Sequence, residues 1–113
     1  MDTRASQTKG YFCPVTATVS IIGGKWKPII LWLLYQRASR YGELKRQLPT
    51  ITAKMLTQQL RDLERDGIVN RKVHEVVPPQ VEYSLTERGH SLAPILLSME
   101  KWGNQHRRFL QAG

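Results

Sequence analysis

One stretch narrows the possible folds of this chain more than any other. A helix with its own start and stop signals gives way at once to a two-residue period. Residues 52–67 read TAKMLTQQLRDLERDG. Thr52 is a natural N-cap, because its hydroxyl can accept from an early helical N–H. Ile51 before it can staple onto Leu56, four residues into the helix. Leu56, Leu60 and Leu63 form one apolar stripe. Gly67 suits the left-handed residue past the helix end, with Ile68 folding back onto Leu63. After this stop, Val69, Arg71, Val73 and Glu75 alternate with Asn70, Lys72 and His74. Beyond VVPPQ, Val81, Tyr83 and Leu85 alternate with Glu82 and Ser84. Two period-two runs around a proline-containing tip predict an antiparallel hairpin. Pro78 and Pro79 cannot donate ladder hydrogen bonds, so they belong at the tip, over 76–80.

The rest of the chain supplies helices. Residues 1–10 are polar and read as a disordered tail, leaving 11–113 as one domain. Pro14 suits the first helical position and Gly23 the stop of a helix over 14–22, with Val15, Val19 and Ile22 on one face. Residues 25–35 form a second helix, in which Trp26, Ile29, Ile30, Leu33 and Leu34 follow the amphipathic pattern. Residues 38–49 give a short extended piece and then a third helix, ended by Pro49. Thr86 caps a last helix running to about Arg108, with a bend near Pro94. Its stripe is Leu92, Ile95, Leu96, Met99 and Trp102. Four helices, a hairpin and a helix, with a tight PTI turn between the third and fourth helices, predict a mainly helical α+β fold. That fold is a winged helix-turn-helix with additional helices at both ends.

Charge indicates the partner. The 113 residues carry 17 Lys and Arg against nine Asp and Glu, a net charge of +8. Residues 25–72 alone hold 11 basic and four acidic residues, nearly the whole excess. This balance suits a polyanion. With its leucines inward, the fourth helix presents Ala53, Lys54, Thr57, Gln58 and Arg61. Small residues permit close approach to bases, Gln pairs bidentately with adenine, and Arg or Lys pairs with guanine. Asp62, Glu64 and Asp66 fall at the far end. Arg40, Pro79 and Gln80 are expected to position the DNA backbone rather than read sequence, the alternative for Arg40 being a surface pair with Glu43.

Other classes find little here. The longest apolar run, IILWLL, is far shorter than the roughly 20 residues of a membrane helix. The N-terminus has no apolar signal core, so no membrane is expected and the protein reads as cytoplasmic. His74, His90 and His106 lack metal-ligand spacing, and no metal or other cofactor is expected. A Cys/His nucleophile would need Cys13 beside His106 and Asn104, without an oxyanion-hole motif or a phosphate loop, and no catalytic residues are assigned. A winged helix used only for protein contact is a further alternative. It would not need Lys54, Gln58 and Arg61 clear of acids.

Four blocks then carry a resemblance. CPVTATVSIIGGKWKPIILWLL, SRYGELKRQLPTITAKMLTQQLRDLERDGIVNR, PPQVEYSLTERG and LAPILLSMEKWG occur in order over residues 12–106. Together they resemble the HxlR-type family of bacterial winged-helix regulators. The resemblance implies a homodimeric transcriptional regulator, a repressor, on pseudo-palindromic operators. It also implies dimer contacts through the first and last helices, about 14–22 and 86–109. The residues there are Val15, Val19, Ile22, Ile95, Met99, Trp102 and Phe109. Some members of that family carry a cysteine where Cys13 stands and use it to sense oxidants or electrophiles. A helix N-terminus, with Lys9, Lys25 or Lys27 nearby, would favour the thiolate. Burial behind Tyr11 and Phe12 would instead make Cys13 structural. The signal is therefore an oxidant or electrophile acting on Cys13, or a ligand that does not touch the thiol.

Overall fold

The computed structural model describes residues 12–112, so the tail expected over 1–10 lies outside the described residues. Its elements in chain order are α1 (Pro14–Ile22), α2 (Trp26–Gln36), β1 (Ser39–Arg40), α3 (Tyr41–Gln47) and α4 (Ala53–Arg65). They continue with β2 (Val69–His74), β3 (Gln80–Leu85), α5 (Glu87–His90), α6 (Ala93–Gln105) and α7 (Arg107–Ala112).

The helix at the centre of the sequence reading forms with its predicted ends. The Met55 N–H donates to Thr52 Oγ1 at 3.0 Å. Gly67 has φ +75°, the left-handed region that favours glycine. The Ile68 N–H reaches Leu63 O at 2.9 Å and the Gly67 N–H reaches Glu64 O at 3.0 Å, which is the Schellman pattern. Ile51, Leu56, Leu60 and Leu63 are all buried.

Around them close Ile30, Leu31 and Leu34 of α2, Leu44 and Leu48, Ile68 and Val69, Tyr83 and Leu85, and Leu96 of α6. The apolar face of α2 is turned relative to the expectation. Leu31 is fully buried, whereas Ile29 is 38% exposed. The cause is that α2 packs against β3, α4 and α6 together, so more than one side of it is covered. Ile22, expected in a dimer stripe, is buried in this same core.

The hairpin pairs β2 with β3 antiparallel, from Val69 opposite Leu85 to His74 opposite Gln80. Gln80 thus starts a strand rather than closing the tip, and only Val69 of β2 is buried. The short extended piece before α3 becomes a third strand. Ser39 lies opposite Tyr83 and Arg40 opposite Glu82, in the order β1-β3-β2.

The final helix is not continuous. It stops at His90, resumes at Ala93 with Pro94 in its first turn, and breaks again at His106. Gly89, inside α5, lies close against the sheet end. A Cβ there would collide with the Ile68 carbonyl oxygen and lie 3.2 Å from the Leu85 side chain, so α5 is pinned against the sheet. Among the described residues no single helix is long and apolar enough to cross a membrane.

Candidate nucleic-acid interface

The first two turns of α4 project from the domain, with α3 on one side and the sheet on the other. Ala53, Lys54, Gln58 and Arg61 are exposed, and Thr57 is half-buried. Tyr41 of α3 fixes the angle between the two helices. Its hydroxyl donates to Ala53 O at 3.1 Å and lies 3.4 Å from Thr57 Oγ1. Lys54 and Arg61 make no ion pair among the described residues. Their charge therefore faces solvent, Lys54 in the first turn of α4 and Arg61 two turns further on.

Gln58 departs from the expectation. Its Nε2 donates to Asp62 Oδ1 at 3.0 Å. Asp62 does not stand apart from the reading half of the helix, because a spacing of four residues stacks the two side chains. The same carboxylate accepts from Lys27 Nζ of α2 at 3.2 Å and lies 3.3 Å from Arg65. Partial burial acts to raise the Asp62 pKa. The hydrogen bonds from Gln58 and Lys27 and the charges of Lys27 and Arg65 outweigh it and hold the carboxyl below its ordinary value.

One cleft lies between α3 and the hairpin and a second between α4 and the hairpin. The first, of about 450 Å³, brings Arg40, Pro79 and Gln80 together, although 39 residues separate Arg40 from Pro79. Gly42 and Arg46 of α3 complete its wall. Arg46 was not singled out from the sequence. Only the tertiary fold turns it toward the hairpin, so no local signal marks it. Arg40 is partly neutralised, with its Nε 3.7 Å from Glu43 Oε1. Glu43 also accepts from the Arg40 backbone N–H at 2.8 Å and from Arg37 at 3.0 Å. That backbone hydrogen bond is the main cause lowering the Glu43 pKa. Partial burial opposes it, and the charges of Arg37, Arg40 and Arg46 add to it. Arg46 makes no ion pair among the described residues. The second cleft, about 320 Å³, lies between α4 and the base of the hairpin, where Arg61 and Arg71 face Thr57, Glu64 and Tyr83. Arg71 was likewise not singled out.

The remaining expected residues lie away from this face. Cys13, half-buried, is the N-cap of α1. Lys27 is engaged with Asp62, and Lys25 sits 4.8 Å over the Trp26 ring. Lys9 and Tyr11 lie outside the described residues. Val15, Val19, Ile95, Met99, Trp102 and Phe109 are exposed, with Trp102 stacked on His106 at 4.0 Å. His106 caps α6 and His74 lies 3.3 Å from Glu82.

A three-stranded sheet whose hairpin stands beside a projecting, basic second helix defines a winged helix-turn-helix. Residues 21–110 match the HxlR-like helix-turn-helix family, and the chain belongs to it. It is 52% identical to the HTH-type transcriptional regulator YdeP of Bacillus subtilis over 84% of this chain and 74% of that protein. The redox regulator HypR in its reduced form superposes with a TM-score of 0.84 at 50% identity, covering 89% of this chain and all of that one. Its oxidised form superposes with a TM-score of 0.80 at 53% identity, covering 82% and 96%. The chain is a transcriptional regulator with a helix-turn-helix domain.

Proposed function

We propose that this protein is a cytoplasmic homodimeric repressor that reads a pseudo-palindromic operator in double-stranded DNA. The observation that carries the reading is the exposed face of α4, with Lys54 and Arg61 outside every ion pair among the described residues, together with the cleft between α3 and the hairpin that joins Arg40 to Pro79 and Gln80. In this reading α4 enters the major groove, where Lys54, Thr57, Gln58 and Arg61 meet bases or adjoining phosphates with Ala53 allowing close approach. Arg40, Pro79 and Gln80 hold the backbone. The exposed apolar residues of α1, α6 and α7 support pairing of two protomers, which sets the two α4 helices about one DNA turn apart, roughly 34 Å. Ile22 takes no part in that contact. Sites selected from randomised duplexes should be inverted repeats with half-sites about one turn apart, and sedimentation should give a dimer. A monomer on a single half-site would overturn the reading.

The signal proposed is oxidation or alkylation of Cys13. The likeness to a redox regulator supports it, as does the placing of Cys13 at the start of a helix with exposed apolar residues. One cysteine per chain restricts the products. Two Cys13 thiols can give up two electrons and two protons to diamide and form an intersubunit disulfide, or one thiol can form a mixed disulfide or an adduct. Diamide or a quinone should change operator binding by the wild type and leave Cys13→Ser unchanged, with a non-reducing gel identifying the product. Equal responses would make Cys13 structural. A cleft of about 340 Å³ between α1 and the α5–α6 turn, lined by Ile21, Ile68, Leu92, Ile95 and Arg88, favours a second reading in which a non-thiol ligand is the signal.

A further inference from the structure

We propose that Asp62 is a positioning residue that fixes which way the Gln58 amide faces, and so which base α4 reads. The inference rests on the DNA-binding reading above. Gln58 has the only amide on the exposed reading face of α4, and an amide has two faces that differ in hydrogen-bond pattern. An ionised carboxylate offers acceptors only. The Gln58 nitrogen must therefore turn toward Asp62, where it sits at 3.0 Å. Its carbonyl oxygen and second N–H are left pointing outward. An acceptor beside a donor complements N6–H and N7 of adenine, and neither guanine nor thymine presents that pair.

The carboxylate is itself anchored from outside α4. Lys27 belongs to α2, packs against the core side, and donates to the second oxygen at 3.2 Å with both side chains largely buried. Arg65 approaches the first oxygen at 3.3 Å. Asp62 thus couples the scaffold helix to the base-reading side chain, and the amide is oriented before DNA arrives.

The substitution Asp62→Asn tests this sharply. Lys27 still requires an oxygen, so the introduced amide turns its nitrogen toward Gln58. Gln58 then turns its own oxygen inward, and the pattern it presents outward is inverted. Duplexes selected by the wild type from a randomised pool, and all single-base variants of that site, provide the probes. The wild type should prefer adenine at one base pair per half-site, and Gln58→Ala should lose that preference. Asp62→Asn should lose at least about fivefold of the same preference, the lower end of what a bidentate pair contributes. It should keep its affinity for random duplex, and adding it to Gln58→Ala should cost nothing further. A merely structural role would weaken every duplex alike and persist in the Gln58→Ala background, which overturns the proposal. So does unchanged adenine preference in Asp62→Asn. A wild type that selects no sequence overturns the DNA reading, and the proposal falls with it.

Discussion

Removing one arginine should change how steeply DNA binding depends on salt. Arg46 lines the cleft between α3 and the wing with Arg40 and Gln80, and makes no ion pair among the described residues. Arg40 shares Glu43 with Arg37, so part of its charge is already neutralised. Lys54 and Arg61 on α4 complete a set of four cations per protomer on the surface proposed to face DNA. A dimer placing all eight on phosphates would have a slope of log affinity against log salt of about −7. Between 50 and 200 mM salt that is a loss of about 10⁴-fold. Arg46→Ala removes one contact per protomer and should bring the slope to about −5.4, a loss nearer 10³-fold. Arg40→Ala should change the slope less, because Glu43 already neutralises part of the charge that is removed. Fluorescence anisotropy with one labelled duplex over this range measures both. A wild-type slope near zero refutes phosphate neutralisation altogether. An Arg46→Ala slope equal to the wild type refutes the assignment of this cleft to the backbone.

Further predictions concern stability. Thr52→Ala removes the acceptor for the Met55 N–H and should cost about 1 kcal/mol in urea unfolding. Gly89→Ala drives a Cβ against the Ile68 carbonyl and should cost about 1–3 kcal/mol, whereas Gly103→Ala, inside α6 with open space around it, should stabilise by about 0.5–1 kcal/mol. The lowered Glu43 pKa means that the unfolded chain binds its proton more tightly than the folded one. Its contribution is therefore present above the unfolded value and lost as pH falls through the lower folded value. Melting temperatures of Glu43→Gln and wild type should converge below about pH 4, and a difference that stays constant with pH refutes this.

What the sequence discloses depends on how far apart the causes lie. The start and stop of α4 involve neighbours within five residues, so Thr52, Gly67 and Ile68 can be read directly. The strand at Ser39–Arg40 is two residues long, too short for any period, and its partners Tyr83 and Glu82 are over 40 residues away. Gly89 and Pro94 mark weakness in the last helix, but the close approach of Gly89 to Leu85 and the Ile68 carbonyl comes from tertiary packing. The reading face follows the same rule. Its membership on α4 is set by helical spacing, and even the Gln58–Asp62 contact is a four-residue neighbour. The Lys27 anchor and the turn of Arg46 toward the wing come from helix packing and leave no mark in the local sequence.

The bend between α1 and α2 has a further consequence. The two helices meet at 77° across a short break at Gly23–Lys25, and α1 lies across a cleft from the α5–α6 turn. It is nine residues long and Ile22 is its one buried side chain. A helix that short is marginal in water without tertiary support. In the dimer proposed above, the exposed face of α1 with Val15 and Val19 gains its support from a second chain. Cys13 then sits at the end of an element whose order rises with protein concentration, so cellular dosage and thiol environment would become linked variables.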